Sequence, residues 1–346
     1  MRLKFKFLLV LLLIIPFVAY AQNYPTQRQI AKALKKEVEN DRSNSIVVGI
    51  IDNGIEDYFA YGKPFNGKTE AANKNTIYEV ASITKIFTTT LLADLIVKGQ
   101  LSPDERLIEF LPDSVNLKDD QCKEITIEHL ATHTSGLSFL LDKPDLRKLY
   151  EYRKNYSYKD LIAALENYQL PHAPGTHFNY SNYNMGFLAY ILTKVTNKDL
   201  ETLFQEVICE PFQMQNTTMQ LTNKQQAHFA TAYIRPGRPT RHVEWGTAEA
   251  GAAALRSSAH DLITFMKKLF IENSHLNEAA KLAIKPQFDS TMFRNTKIGL
   301  GWFITEGKNT FIFDGMKIKF DNFIDNKAQH FSSLRKQILS GDRIKK

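Results

Sequence analysis

The segment Glu79-Val80-Ala81-Ser82-Ile83-Thr84-Lys85-Ile86-Phe87 opens a run in which Ile83, Phe87, Leu91 and Leu95 recur every four residues. That spacing predicts a helix buried along its length, so the rest of the chain has to fold around it. Ser82 and Lys85 sit three apart at its start, share one helix face, and place the amine within reach of the hydroxyl. A serine in the first turn also has its N–H outside the helix ladder and the positive end of the dipole beneath it. Both suit a nucleophile whose attack creates an oxyanion. Alone, the pattern is common and fits equally a capping serine beside a solvated lysine. Ser333-Leu334-Arg335-Lys336 repeats it in a basic tail where no catalysis is expected.

With 346 residues and 43% hydrophobic content the chain can bury a large core. Arg2, Lys4 and Lys6 precede an apolar run from Phe7 to Val18, and Ala19-Tyr20-Ala21 comes before Gln22. This predicts a secretory signal over residues 1–21 with cleavage after Ala21, and a mature protein in the periplasm or outside the cell. Gln at position 22, where a lipid anchor needs Cys, argues against anchoring, and no other stretch is long and apolar enough to span a bilayer. The net charge of +7 lies at the ends: three cations in the signal, and eight Lys/Arg against three Asp from Gly315 onward. The body between is nearly neutral, which excludes polyanion or nucleic-acid binding as its main task. Cys122 and Cys209 could pair in an oxidising compartment. Cys209, however, lies among Leu203, Phe204, Val207 and Ile208 and reads as a buried thiol.

In chain order, Thr26 opens a helix with Ile30, Leu34 and Val38 on one stripe. Ser45–Ile51 and Ile55–Tyr61 form a hairpin around Asp52-Asn53-Gly54. Thr126 starts another helix, in which His129 and His133 stand four apart. No third metal ligand accompanies them, so they read as structural histidines. Helical segments are expected within residues 139–168, then a helix burying Met185, Leu188, Leu192 and Val195, and another from Leu200 to Ile208. Gly251-Ala252-Ala253-Ala254-Leu255 reads as a tightly packing small-residue segment, and Ser258 caps a helix through Leu262, Phe265, Met266 and Leu269. Gly299–Ile304 and Thr310–Phe313 read as strands joined at Glu306-Gly307-Lys308-Asn309. Strands at both ends with helices between make the class α+β.

Tyr180-Ser181-Asn182 is the only Tyr-x-Asn in the chain and stands just ahead of a helix. Together with Ser82-x-x-Lys85, His133-Thr134-Ser135-Gly136-Leu137 and Gly299-Leu300-Gly301-Trp302, in that family's order, it makes the chain resemble the serine β-lactamase and penicillin-binding protein family. The resemblance is strongest to the class C-like branch with its DD-peptidases and esterases, and it runs from about Thr26 to about Phe313. It implies an antiparallel sheet built from both termini, flanked by helices, with a helical lobe inserted at about residues 63–250 of a domain spanning 22–315. It also implies that Ser82 is acylated, that Lys85 supports its deprotonation, and that Tyr180 shuttles the proton to the leaving nitrogen and later activates water. Asn182 would hydrogen-bond the substrate amide and Lys85. Whether Lys85 or Tyr180 is the principal base stays open. The implied substrate is a small molecule, a β-lactam or a D-alanyl peptide, handled by a monomer without metal or organic cofactor.

Two stretches depart from the family. Tyr78-Glu79-Val80-Ala81-Ser82 stands where class C enzymes have Phe-Glu-x-Gly-Ser, a variation usual among their relatives. At the third motif, where the family has Lys or His, one residue, then Gly, this chain has Phe313-Asp314-Gly315, which implies Gly315 as the substrate-binding position. Lys297-Ile298-Gly299 fits the letters but comes too early. Residues 316–346 read as an atypical basic tail without strand alternation, as if the reading frame had shifted or been cut near residue 314, leaving the C-terminal part of the sheet incomplete. The alternatives are therefore a non-catalytic penicillin-binding or degenerate relative and, more weakly, an esterase.

Overall fold

The computed structural model describes residues 26–40, 43–52, 54–138, 149–289, 296–305, 310–313 and 316–319. The expected signal segment, Gly315 and the Ser333–Lys336 repeat lie outside them. Helix α1 (Gln27–Glu39) begins at a capping box in which Thr26 and Gln29 satisfy each other's backbone N–H, and it buries Ile30, Ala33 and Leu34. Strands β1 (Ser45–Asp52) and β2 (Ile55–Gly62) pair antiparallel in full register from Ser45↔Gly62 to Asp52↔Ile55. Gly54, at φ 80°, supplies the left-handed backbone their tight turn requires.

A short strand β3 (Ile77–Glu79) leads through a 3₁₀ turn at Ala81–Ile83 into α2 (Thr84–Val97). Every residue of α2 from Thr84 to Leu95 is buried, not only the four-residue stripe, because other elements cover it on all sides. Its threonines survive burial by bonding to carbonyls: Thr90 Oγ1 to Ile86 O at 2.8 Å and Thr88 Oγ1 to Gly251 O at 2.7 Å. Phe87 stacks on Phe265 with ring centroids 4.1 Å apart.

Next come α3 (Ile127–Ala131), α4 (Leu149–Asn155), α5 (Tyr158–Glu166), α6 (Asn182–Thr196) and α7 (Leu200–Phe204). Beyond α7 the chain continues as a π turn over Gln205–Cys209, so the expected Leu200–Ile208 helix is real but changes winding midway. Val195, expected in the buried face of α6, is 37% exposed: it lies past the last turn that neighbours cover. Two short helices, α8 (Glu210–Phe212) and α9 (Asn223–Gln226), and a small hairpin of β4 (Tyr233–Arg235) with β5 (Arg238–Pro239) precede α10 (Thr247–Ala253). Helix α10 packs against both α2 and α6. Strand β6 (Arg256–Ser258) then pairs with β3, and α11 (Ala259–Phe270) and α12 (Asn277–Ala283) follow. Cys122 and Cys209 are both buried and unbridged.

The chain finishes its described part in an antiparallel sheet of order β11-β10-β9-β8-β7, with β7 Phe288–Asp289, β8 Thr296–Ile298, β9 Phe303–Thr305, β10 Thr310–Phe313 and β11 Met316–Lys319. The strands of the two chain ends thus form a hairpin and a five-stranded sheet. Two expectations need correction. Gly299–Trp302 is not strand: Gly301 has φ 73°, its N–H donates to Ala131 O at 2.9 Å, and the segment turns between β8 and β9. Met316–Lys319, read as tail without strand structure, adds a strand to β10 from Thr310↔Lys319 to Phe313↔Met316, because backbone pairing needs no apolar alternation at a sheet edge.

Candidate active site

Ser82 lies in the 3₁₀ turn that becomes α2, three residues ahead of Lys85. It does not act as a helix cap there; its Oγ lies 3.0 Å from Lys85 Nζ and 3.0 Å from Tyr180 OH. Ala81, just before it, has φ 44°, a left-handed conformation that an alanine adopts only at a cost and that re-aims the chain at this point. Thr84 stabilises the bend: its Oγ1 donates to Ala81 O at 2.7 Å and accepts from Leu255 N at 3.1 Å.

Lys85 is fully buried. Besides Ser82, its Nζ reaches Asn182 Oδ1 at 2.8 Å and Ala252 O at 3.0 Å. Those two oxygens can only accept. As a neutral amine, Lys85 satisfies them with its two N–H groups and points its lone pair at Ser82; as an ammonium, it donates to all three. These contacts can therefore be satisfied with Lys85 in either protonation state. The Nζ also stands 4.9 Å from the centroid of the Tyr180 ring.

Tyr180 and Asn182 are placed by the His133–Leu137 segment, whose role the sequence reading left unassigned. His133 has φ 58° and is buried; its backbone O accepts from Asn179 N at 2.7 Å and its Nδ1 from Ser181 N at 3.2 Å. Asn184 Nδ2 lies 3.3 Å from the same nitrogen, and Ser135 Oγ donates to Asn184 Oδ1 at 2.6 Å. A ring nitrogen that accepts from a backbone N–H carries no proton, so the network assigns a neutral imidazole protonated on Nε2. Burial, reinforced by the charge of Lys85, pushes the His133 pKa down to about 3. The imidazole packs on the Tyr180 ring with centroids 4.6 Å apart. His129, by contrast, serves its own helix: its Nδ1 accepts from Thr126 N at 3.2 Å. Among the described residues no three His, Cys, Asp or Glu side chains gather as metal ligands would.

The structure thus brings Ser82, Lys85, Tyr180 and Asn182 into one cluster, with Ser82 and Tyr180 half-exposed and Lys85 and Asn182 buried beneath them. Gly315 falls outside the described residues, and Phe313 ends β10. Two contributors were not singled out from the sequence. Ala252, inside the small-residue segment, offers its carbonyl to Lys85. Glu249, one turn earlier on α10 and fully buried, accepts from Asn182 Nδ2 at 3.2 Å. The small residues were the available signal. A Cβ on Gly251 would lie 2.7 Å from Met185 O and one on Gly186 only 2.0 Å from Ala248 O, so α6 and α10 touch backbone to backbone.

Among curated proteins, the chain is 27% identical to a beta-lactamase of Escherichia coli (strain K12) over 77% of this chain and 67% of that one. It is 25% identical to Protein flp of Staphylococcus aureus (strain MW2) over 86% of this chain and 60% of the relative. The chain thus spans about three fifths to two thirds of the length of such relatives. A solved beta-lactamase/D-alanine carboxypeptidase from Pseudomonas syringae superposes with a TM-score of 0.70 at 22% identity, covering 81% of this chain and 75% of that one. A solved class C beta-lactamase gives 0.70 at 22% identity over 80% and 73%, and likeness at that identity speaks for the fold. The beta-lactamase family model matches residues 30–323, most of the chain, and the chain accordingly belongs to the beta-lactamase family of serine β-lactamases and penicillin-binding proteins.

Proposed function

We propose that this protein is a serine hydrolase that forms an acyl-enzyme on Ser82 with a β-lactam or a D-alanyl amide. One observation carries the reading: Ser82 Oγ is the shared hydrogen-bond partner of Lys85 Nζ and Tyr180 OH, each at 3.0 Å. A serine hydroxyl becomes a competent nucleophile when a base takes its proton during attack, and two candidate proton acceptors converge on this one. In the proposed sequence, Ser82 attacks the carbonyl while its proton passes to the Lys85–Tyr180 pair. Tyr180, partly exposed, delivers a proton to the leaving nitrogen and then helps water attack the ester. Asn182 holds Lys85 and hydrogen-bonds the substrate amide, and Gly315 is the other proposed substrate contact. We place the protein in the periplasm or outside the cell as a monomer. Among the described residues, no helix is long and apolar enough to cross a membrane.

A second reading is action on small acyl esters, or binding without turnover. It is favoured by Phe313, which stands where relatives present a cation able to meet a substrate carboxylate. Incubation with a fluorescent penicillin, followed by mass spectrometry of the intact protein and its peptides, tests both readings. A Ser82 adduct that is absent from Ser82→Ala and released within minutes supports hydrolysis, and a lasting adduct supports penicillin binding. No adduct on folded protein overturns the first reading and leaves ester substrates to be assayed.

A further inference from the structure

Glu249 is a carboxylate with no solvent exposure, and it lies one side chain away from the reacting pair. Its Oε1 accepts from Asn182 Nδ2 at 3.2 Å, and Asn182 Oδ1 accepts from Lys85 Nζ at 2.8 Å. Its Oε2 lies 3.9 Å from Nε of Arg153 on α4, whose guanidinium in turn stands 4.8 Å from the centroid of the Trp245 ring. A carboxylate can only accept, so the Asn182 amide must turn its NH₂ toward Glu249 and its carbonyl toward Lys85. An amide facing water has no such instruction. Burying a charge is expensive unless it is compensated, and here the compensation runs in a chain of four groups that ends on Ser82.

We propose that Glu249 is a positioning residue for the Ser82–Lys85 pair. Its buried charge fixes the Asn182 amide and favours the ammonium form of Lys85, with Arg153 moderating that pull. The proposal rests on the reading of Ser82 and Lys85 as the reacting groups. Among the described residues, the groups facing Lys85 include Ser82 from its own turn, Tyr180 and the neutral His133 from the α3–α6 side, Ala252 O from α10, and Glu249 through Asn182. Arg153 of α4 stands beyond Glu249. The two hydrogen bonds and the width of an amide put a Glu249 oxygen within roughly 8 Å of Nζ. Two unit charges at that separation in an effective dielectric of about 20 shift each other's titration by about 1.5 pH units. With Arg153 opposing, about one unit is expected.

The test is the Lys85 titration in the full chain, followed by NMR with ¹³Cε,¹⁵N-lysine and assigned by the signal lost in Lys85→Met. In Glu249→Gln the midpoint falls by about one pH unit; in Arg153→Met, which keeps most of the stem but not the charge, it rises. A general loss of packing does not move the two variants in opposite directions. Coincident midpoints in wild type and Glu249→Gln overturn the proposal. If that variant shows no cooperative melt, an unchanged midpoint in Arg153→Met overturns it instead. Penicillin labelling of the wild type is read separately. Labelling with coincident midpoints sinks the role of Glu249 and leaves the proposed function standing. Shifted midpoints without labelling do the reverse.

Discussion

Replacing Gly186 with alanine isolates the contact on which the site's geometry depends. In an exposed helix interior, Gly→Ala stabilises by about 1 kcal/mol through backbone entropy. At Gly186 the new methyl would stand 2.0 Å from Ala248 O and 3.1 Å from Leu161 Cδ2, where ordinary contact begins near 3.4 Å. The obstacle at 2.0 Å is backbone, which has no rotamer to change, so α10 must retreat by more than 1 Å. Overpacking of this kind costs about 1–3 kcal/mol and belongs at the upper end here. Set against the propensity gain, the net is a loss of about 1–2 kcal/mol, or roughly 2–3 °C in Tm for a chain of this size. The same retreat moves Ala252 O away from Lys85, and misplacement of about 1 Å in a catalytic array costs on the order of 10²-fold in rate. Thermal unfolding and the time course of penicillin labelling, measured on one preparation, read both effects. A variant that melts at or above the wild type and labels at the same rate would refute the backbone-to-backbone packing of α6 on α10. Gly251→Ala approaches the interface from the other helix, meeting Met185 O at 2.7 Å and Ala189 Cβ at 2.8 Å, and is expected to behave the same way.

Lys85→Met should lower the acylation rate by about 10²–10⁴, the range for a lost general base, and should also lower Tm, because Asn182 Oδ1 and Ala252 O lose their buried donor; unchanged labelling refutes it. Tyr180→Phe removes only the hydroxyl at 3.0 Å from Ser82 and keeps the ring against His133. Stopped-flow measurement of acylation and product release should show a drop of about 10²–10⁴ in at least one step, with an unchanged melt. His133, neutral when folded and held at about 3 against about 6.5 unfolded, binds a proton in the unfolded chain first. Its contribution is complete above pH 6.5 and is lost as pH falls toward 3, about 3 kcal/mol by pH 4. His133→Asn tolerates the left-handed backbone, and Asn can still accept from Ser181 N. Urea unfolding at pH 7 and pH 4 should differ by about 3 kcal/mol less in this variant than in wild type, and equal acid sensitivity would count against the assignment.

The local chemistry of the sequence was enough to find most of the helices, the first hairpin and the pairing of Ser82 with Lys85. Thr26, Asp52-Asn53-Gly54 and the four-residue repeat of α2 are signals written within a turn or two of the structure they specify, because caps, tight turns and helix faces are short-range physics. Ser82 and Lys85 belong to the same class, since i and i+3 meet on any helix. Tyr180 and Asn182, about 98 residues later in the chain, could be joined to them only by resemblance. The structure brings them to 3.0 and 2.8 Å from their partners. It also decided what no local pattern encodes. His133 holds the Tyr180 loop, Gly186 and Gly251 let two backbones meet, Gly301 turns the chain where strand was expected, and Met316–Lys319 joins the sheet. Glu249 reads in sequence as one more charged residue among alanines, and it becomes a buried acidic group behind Asn182 only because α10 packs with that face inward. Burial and charge separation depend on distances between segments far apart in the chain, and packing sets those distances.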